Sequence, residues 1–183
     1  MTTDPLAILK DIGKQAGKRL ARANLFDANV CTSPRNPDRP WEVLALPGDI
    51  FRHKLNIPVE GHKVTLFANG DFVVVQVTAD LDVDVCSINR QDKVFHLEQS
   101  FLRIPGLPSM PVFSRKSDTD LRQLLNSAPL IQALHAIQLT EHESLHIYRN
   151  GLVLYLQRDS KDKVMSAVEA ACRLTKQLPT GTR

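Results

Sequence analysis

The spacing of apolar residues predicts a long helix at the start of the chain. From Asp4 to Phe26, apolar residues recur every three or four positions, which is the pattern of an amphipathic helix. Asp4 is a suitable N-cap, and Pro5 fits the first turn, where proline is tolerated. The predicted apolar stripe consists of Leu6, Leu9, Ile12, Ala16, Leu20 and Ala23.

The middle of the chain has the pattern of an antiparallel sheet. Residues 63–68 and 71–78 are rich in β-forming side chains and are separated by Asn69-Gly70. Asn-Gly is a strong hairpin signal, because both residues of such a turn adopt positive φ. Strict alternation continues over residues 79–85, which predicts that the second strand extends that far. A third predicted strand, Lys93–Arg103, completes a β-meander.

Helical spacing returns in the final third, interrupted by a second hairpin. Leucines and isoleucines between residues 121 and 137 predict one kinked helix or two short helices divided at Pro129. Asn150-Gly151 separates two apolar runs, 145–149 and 152–157, and predicts another hairpin. Ser160 then caps a final helix, whose inward residues are Val164, Val168, Ala171, Cys172, Thr175 and Leu178.

These elements predict an α+β fold: an N-terminal amphipathic helix, an antiparallel β-meander, and a helix–β-hairpin–helix unit packed on the sheet. Residues 1–30 would form the N-terminal helix and residues 31–47 a Pro-rich linker. Residues 48–183 would form the α+β domain, either as one unit or as two subdomains, 48–112 and 113–183. The two Asn-Gly hairpins are alike, which fits either an internal duplication or convergence on a good turn.

Composition and charge narrow the classes of function. The chain has 183 residues, of which 43% are hydrophobic and 23% charged, as in soluble globular proteins. A net charge of +3 is small for a nucleic-acid-binding protein, so no nucleic-acid partner is expected. Three widely spaced cysteines fit a reducing compartment. With neither a signal peptide nor a transmembrane span predicted, the expected location is cytoplasmic.

One short motif has the residue types of a metal site. His142, Glu143 and His146 form an H-E-x-x-H sequence, which resembles the motif of zincin metallopeptidases over five residues. The resemblance implies zinc as cofactor, with the two histidines as ligands and Glu143 as general base. Zinc binding by this motif requires a helix, however, whereas the pattern of residues 145–149 predicts a strand entering the Asn-Gly turn. Histidines four residues apart in a strand are separated by about 13 Å, too far to share one zinc ion. The strand therefore predicts no catalytic residue and no metal.

A row of basic residues marks a second candidate surface. Lys10, Lys14, Lys18 and Arg22 recur every four residues and would form one stripe on the predicted helix. Such a stripe can bind an anionic membrane surface or an acidic protein partner. The alternatives are a solvated outer face, with the apolar side packed on its own domain, and an oligomer contact.

Asp80, Asp82 and Asp84 would form an acidic row on one face of the extended second strand. They do not fit a calcium loop, because Val85 and Gln91 stand where an EF-hand needs glycine and glutamate. The row is therefore interpreted as a solvated sheet face.

The leading hypothesis is a non-catalytic intracellular module that binds a protein partner or self-associates. It depends on the lack of recognisable catalytic motifs, on the strand edges that the predicted sheet exposes, and on the amphipathic N-terminal helix, which could dock on a partner. Enzymatic activity is left open but not favoured. The first alternative is a zinc-dependent hydrolase using the motif at 142–146, and the second is peripheral binding of an anionic membrane through the N-terminal helix.

Overall fold

The computed structural model describes residues 4–22, 53–69, 71–83, 85–89, 97–107, 109–114, 118–149 and 151–181. The helices in this part are α1 (Pro5–Gln15), α2 (Asp118–Leu125), α3 (Ala128–Ile137) and α4 (Lys161–Gln177). The strands are β1 (Ala21–Arg22), β2 (His53–Val59), β3 (His62–Asn69), β4 (Phe72–Thr78), β5 (Cys86–Ile88), β6 (Glu98–Ser100), β7 (Val112–Ser114), β8 (Ser144–Tyr148) and β9 (Gly151–Leu156). They form one antiparallel sheet in the order β1-β2-β3-β4-β9-β8-β5-β7-β6.

Helix α1 is shorter than the sequence pattern predicts. Asp4 caps it as expected, accepting a hydrogen bond of 2.9 Å from the backbone N–H of Leu6. The helix ends in a Schellman motif: Gly17 has φ +62°, and the N–H of Lys18 donates to the carbonyl of Gly13 at 2.8 Å. The prediction of a helix as far as Phe26 is therefore wrong, because the left-handed glycine turns the chain into β1.

Two hairpins and a long-range pairing build the centre of the sheet. Strands β2 and β3 are joined at Glu60-Gly61, where both residues have positive φ, the geometry of a two-residue hairpin turn. This hairpin was not predicted. Strand β4 pairs with β9, Thr78 lying opposite Gly151, so the two Asn-Gly hairpins belong to one sheet. A Cβ at Gly151 would overlap the carbonyl oxygen of Val77, which explains the need for glycine there.

The meander departs from its prediction after Thr78. Residues 79–83 are irregular, and the N–H of Leu81 donates to the carbonyl of Arg149 at 2.7 Å. The predicted extension of the strand to Val85, with its acidic row, is therefore wrong; Asp84 lies outside the described residues. Within the predicted strand Lys93–Arg103, only β6 is a strand among the described residues, and residues 93–96 lie outside them.

The helices cover one face of the sheet, as predicted for the α+β class. Alternate residues of β9 show the division: Leu152, Leu154 and Leu156 pack in the core that the helices share, whereas Val153 and Tyr155 belong to an aromatic cluster on the opposite face. Ser160 caps α4, and the six predicted inward residues of that helix are all buried. The proposed linker 31–47 lies outside the described residues. None of the described helices is both long and apolar enough to cross a bilayer.

Candidate functional site

The H-E-x-x-H motif spans a turn and the beginning of a central strand. His142 lies in the turn before β8, with 67% of its side chain exposed, and its Nε2 is 3.2 Å from Glu141. Glu143 is fully buried just before the strand, and His146 is buried within it. The prediction of a strand here is confirmed. Residues 140–149, all of them described, contain no helix to align the two histidines.

The carboxylate of Glu143 is saturated by contacts within the protein. It accepts hydrogen bonds from the backbone N–H of Thr140 at 3.0 Å and of Gln157 at 2.8 Å. Arg158 Nη2 donates to the same carboxylate at 2.7 Å, and Arg158 Nε lies 2.6 Å from Oε1. A carboxylate held in this way has no access to a metal-bound water, so its geometry is that of a structural ion pair.

Arg158 connects this ion pair to the end of α3. Its Nη2 also donates to the carbonyl oxygens of Ile137, at 2.7 Å, and of Gln138, at 2.9 Å. These carbonyls belong to the last turn and the C-cap of α3, where cations are favoured by the helix dipole. We call Glu143 and Arg158 together the buried clamp, because they join α3, β8 and the end of β9.

His146 is also engaged on both ring nitrogens. Its Nδ1 lies 2.8 Å from the hydroxyl of Ser87 on β5, and its Nε2 lies 3.1 Å from that of Ser144. The ring makes an edge-to-face contact with Tyr155, with centroids 5.5 Å apart. Within the described part of the chain, no group of three His, Cys, Asp or Glu side chains is placed to hold a metal ion.

The basic residues predicted as one helical stripe lie on three different segments. Lys10 and Lys14 are on α1, Lys18 follows its C-terminal turn, and Arg22 is in β1. All four are exposed, but they do not form a single helix face because the helix ends at Gln15.

The apolar face of α1 is not available to an external surface. Ile8, Leu9 and Ile12 are at most 6% exposed and pack in the main core. They share that core with residues of β2, β3 and β4. Helix α1 thus belongs to the helical layer that covers one face of the sheet.

An exposed aromatic side chain, that of Phe101, lies next to the edge strand β6. Strand β6 pairs with β7 on one side, and no other described strand pairs with its outer side. Phe101 follows it directly and is 93% exposed, the one large apolar side chain so exposed among the described residues. The turn that presents it is built locally: the N–H of Leu102 donates to Ser100 Oγ at 3.0 Å. Arg103 Nη1 donates to the carbonyl of Phe101 at 3.3 Å.

Sequence reasoning missed both Phe101 and the clamp arginine. Phe101 was placed inside a predicted strand, where alternation would have given it either face. Its only distinct signal is Ser100, whose side chain competes with the strand for backbone N–H groups. Arg158 has no local signal, because its partners in α3 and at Glu143 are distant in sequence.

Comparisons with known proteins bear on the fold. No protein-family model matches the chain, and no curated protein is similar to it in sequence. The chain is similar in fold to TtfA. This protein is the mycobacterial trehalose monomycolate transport factor A, and its crystal structure superimposes with a TM-score of 0.66. The likeness covers 98% of both chains at 12% sequence identity, so TtfA shares the architecture without indicating a common activity.

Proposed function

We propose that this chain is a non-catalytic module that self-associates through β6, with Phe101 as the anchor of the contact. The observation that carries the proposal is the 93% exposure of Phe101 beside an edge strand. Large aromatic side chains dominate the binding energy of protein interfaces, and strand edges offer unpaired backbone groups for addition of another strand. A second copy of this chain supplies a strand of matching length.

The sequence of β6 favours pairing with itself. In an antiparallel pair centred on Gln99, Glu98 of one copy lies opposite Ser100 of the other, so no two carboxylates face each other. The same register places Phe101 opposite Leu97, which has the same side-chain parity and belongs to the aromatic cluster. Leu97 is only 2% exposed, so Phe101 would cover the outer edge of the aromatic cluster at each end of a symmetric contact.

The two alternative functions are less compatible with the described contacts. The carboxylate of Glu143 is occupied by Arg158, which opposes the role of a zinc hydrolase base. The apolar face of α1 is packed in the core, which opposes insertion of this helix into a membrane surface. A cytoplasmic location, where the buried thiols of Cys86 and Cys172 remain reduced, is part of the proposal. TtfA is described as a transport factor, which is compatible with action by binding.

Sedimentation velocity over a wide range of protein concentrations tests the proposal. We expect a monomer–dimer equilibrium for the natural chain, and a monomer for Phe101→Asp with an unchanged melting temperature. Gln132→Asp, which adds the same charge at an exposed position of α3, should dimerise like the natural chain. A natural chain that stays monomeric at every concentration, or a Phe101→Asp variant that still dimerises, would overturn the proposal.

A further inference from the structure

The positive charge of the chain is concentrated in its first described segment. Residues 4–22 contain five basic and two acidic residues, so this segment alone accounts for the net charge of +3. We call its basic side chains together the basic surface: Lys10, Lys14, Lys18, Arg19 and Arg22. Charge concentrated in this way attracts negatively charged partners to one part of a protein.

The fold holds the basic surface at one edge of the sheet. The inner side of α1 is anchored in the core, and Lys10 and Lys14, one helical turn apart, are exposed on its outer side. The chain turns at Gly17, and the edge strand β1 then carries Arg22. Strand β1 lies at the opposite end of the strand order from β6, so the basic surface is separate from the proposed self-association contact.

The cations of the basic surface are not neutralised by the described part of the protein. All five are exposed, and none forms an ion pair or a side-chain hydrogen bond with another described residue. By contrast, Lys163 on α4 pairs with Asp159 at 2.8 Å, and Lys176 pairs with Glu60 at 3.0 Å. The charge of the basic surface is therefore open to an external partner.

The helix dipole accounts for only part of this arrangement. Cations near the C-terminal end of a helix are stabilised by the dipole, which applies to Lys14 and Lys18. It does not apply to Lys10 in the middle of α1 or to Arg22 in β1. The basic surface thus extends beyond what the stability of α1 requires.

The basic surface offers charge without the groups on which protein and single-stranded nucleic-acid contacts depend. Residues 4–22 contain no aromatic residue, and the large apolar side chains of α1 are buried or half-buried. Protein interfaces draw most of their binding energy from desolvated anchors, aromatic ones above all, and single-stranded nucleic acids stack on aromatic side chains. A bilayer of anionic lipids needs neither, because its headgroups attract cations collectively.

We infer that the basic surface binds the headgroups of an anionic lipid membrane, without insertion of any side chain. The apolar side of α1 stays in the core, so the contact requires no rearrangement of the fold. Each basic residue close to such a membrane raises the partition coefficient about 5-fold. The attraction decays within a Debye length, about 10 Å at 0.1 M salt, so binding is reversible and sensitive to salt.

Co-sedimentation of the full chain with lipid vesicles tests the inference. One set of vesicles contains phosphatidylcholine alone, and the other an equimolar mixture with phosphatidylserine. We expect binding to the mixed vesicles at about 0.1 M salt and its loss at about 1 M, where the Debye length falls to about 3 Å. Binding to both kinds of vesicle alike, or to neither, would overturn the inference.

Substitutions then locate the contact. Lys10→Gln/Lys14→Gln should lower the partition coefficient for the mixed vesicles about 25-fold and leave the melting temperature unchanged. The matched control is Arg122→Gln/Arg149→Gln, which removes the same charge from exposed positions on α2 and after β8 and should bind like the natural chain. Equal losses in both double variants would assign binding to the net charge of the protein and would refute a role of the basic surface.

Polyglutamate distinguishes a membrane from an acidic protein partner. At a carboxylate concentration equal to that of phosphatidylserine, it should displace little of the protein from the mixed vesicles. Full displacement under these conditions would show that an acidic polypeptide is the better ligand, and the membrane assignment would fail.

Discussion

Replacing Glu143 by Gln removes the charge of the buried clamp while conserving the shape of the side chain. The natural carboxylate is inaccessible and accepts three hydrogen bonds, from Thr140, Gln157 and Arg158. Glutamine keeps one acceptor oxygen, but its NH2 group places N–H donors where the second carboxylate oxygen accepted, facing groups that already donate. Arg158, only 12% exposed, would lose its counter-ion. Breaking a buried ion pair from one side costs about 3–5 kcal/mol, so we expect Glu143→Gln to lower the free energy of unfolding by that amount.

Urea denaturation followed by circular dichroism measures this loss, with the midpoint lowered and the slope unchanged. The matched control is Glu141→Gln, since Glu141 is 85% exposed and its one ion pair with the described residues is with the exposed His142. Its stability should stay within about 0.5 kcal/mol of the natural chain. If Glu143→Gln lost less than about 1 kcal/mol, the clamp would not contribute as its geometry indicates.

Two further predictions concern the motif histidines and a buried thiol. His146→Ala should lower the free energy of unfolding by about 2–4 kcal/mol. The change leaves the hydroxyls of Ser87 and Ser144 unsatisfied and opens a space beside Tyr155. His142→Ala should be nearly neutral, because His142 is exposed. Thermal melts of metal-free protein check this difference; equal effects, or zinc binding lost in both variants, would contradict it. Burial raises the pKa of Cys172 to about 11, so unfolded chains lose this proton first and stability should fall as pH rises from about 9 to 11. Denaturation midpoints across that range should show a fall that Cys172→Ala reduces; the same fall in the variant would assign it to other groups.

Sequence patterns correctly predicted the helices and strands that are determined by residues close together in the sequence. Ser160 and the spacing after it predicted α4, and Asn150-Gly151 predicted that the motif at 142–146 leads into a strand rather than a helix. The end of α1 was missed because continued apolar spacing outweighed Gly17, whose left-handed conformation ends the helix. The prediction that β4 continues past Thr78 was wrong for a similar reason, because the alternating pattern of residues 79–85 does not correspond to a strand there. In that segment, backbone contacts with the C-terminal end of the chain replace strand pairing.

The candidate sites were harder to predict because each brings distant segments together. Nothing near Arg158 in the sequence indicates Glu143 as its partner. A cavity beside α2 likewise joins Asp82, Asp120 and Pro179, which come from three separate parts of the chain. The H-E-x-x-H motif could be recognised because its residues are contiguous in sequence. Its structural role depends on contacts with residues that are distant in sequence.

The strand order has a consequence for how this protein is made. Strands β4 and β5 are consecutive in sequence, yet β9 and β8 lie between them in the sheet. During synthesis, both strands therefore emerge from the ribosome with open edges and cannot be joined until the β8–β9 hairpin follows. Such non-local pairing slows folding and leaves hydrophobic edges exposed to aggregation. The β8–β9 hairpin thus joins the two halves of the sheet. A nascent chain stalled before residue 151 would therefore be a substrate for chaperones.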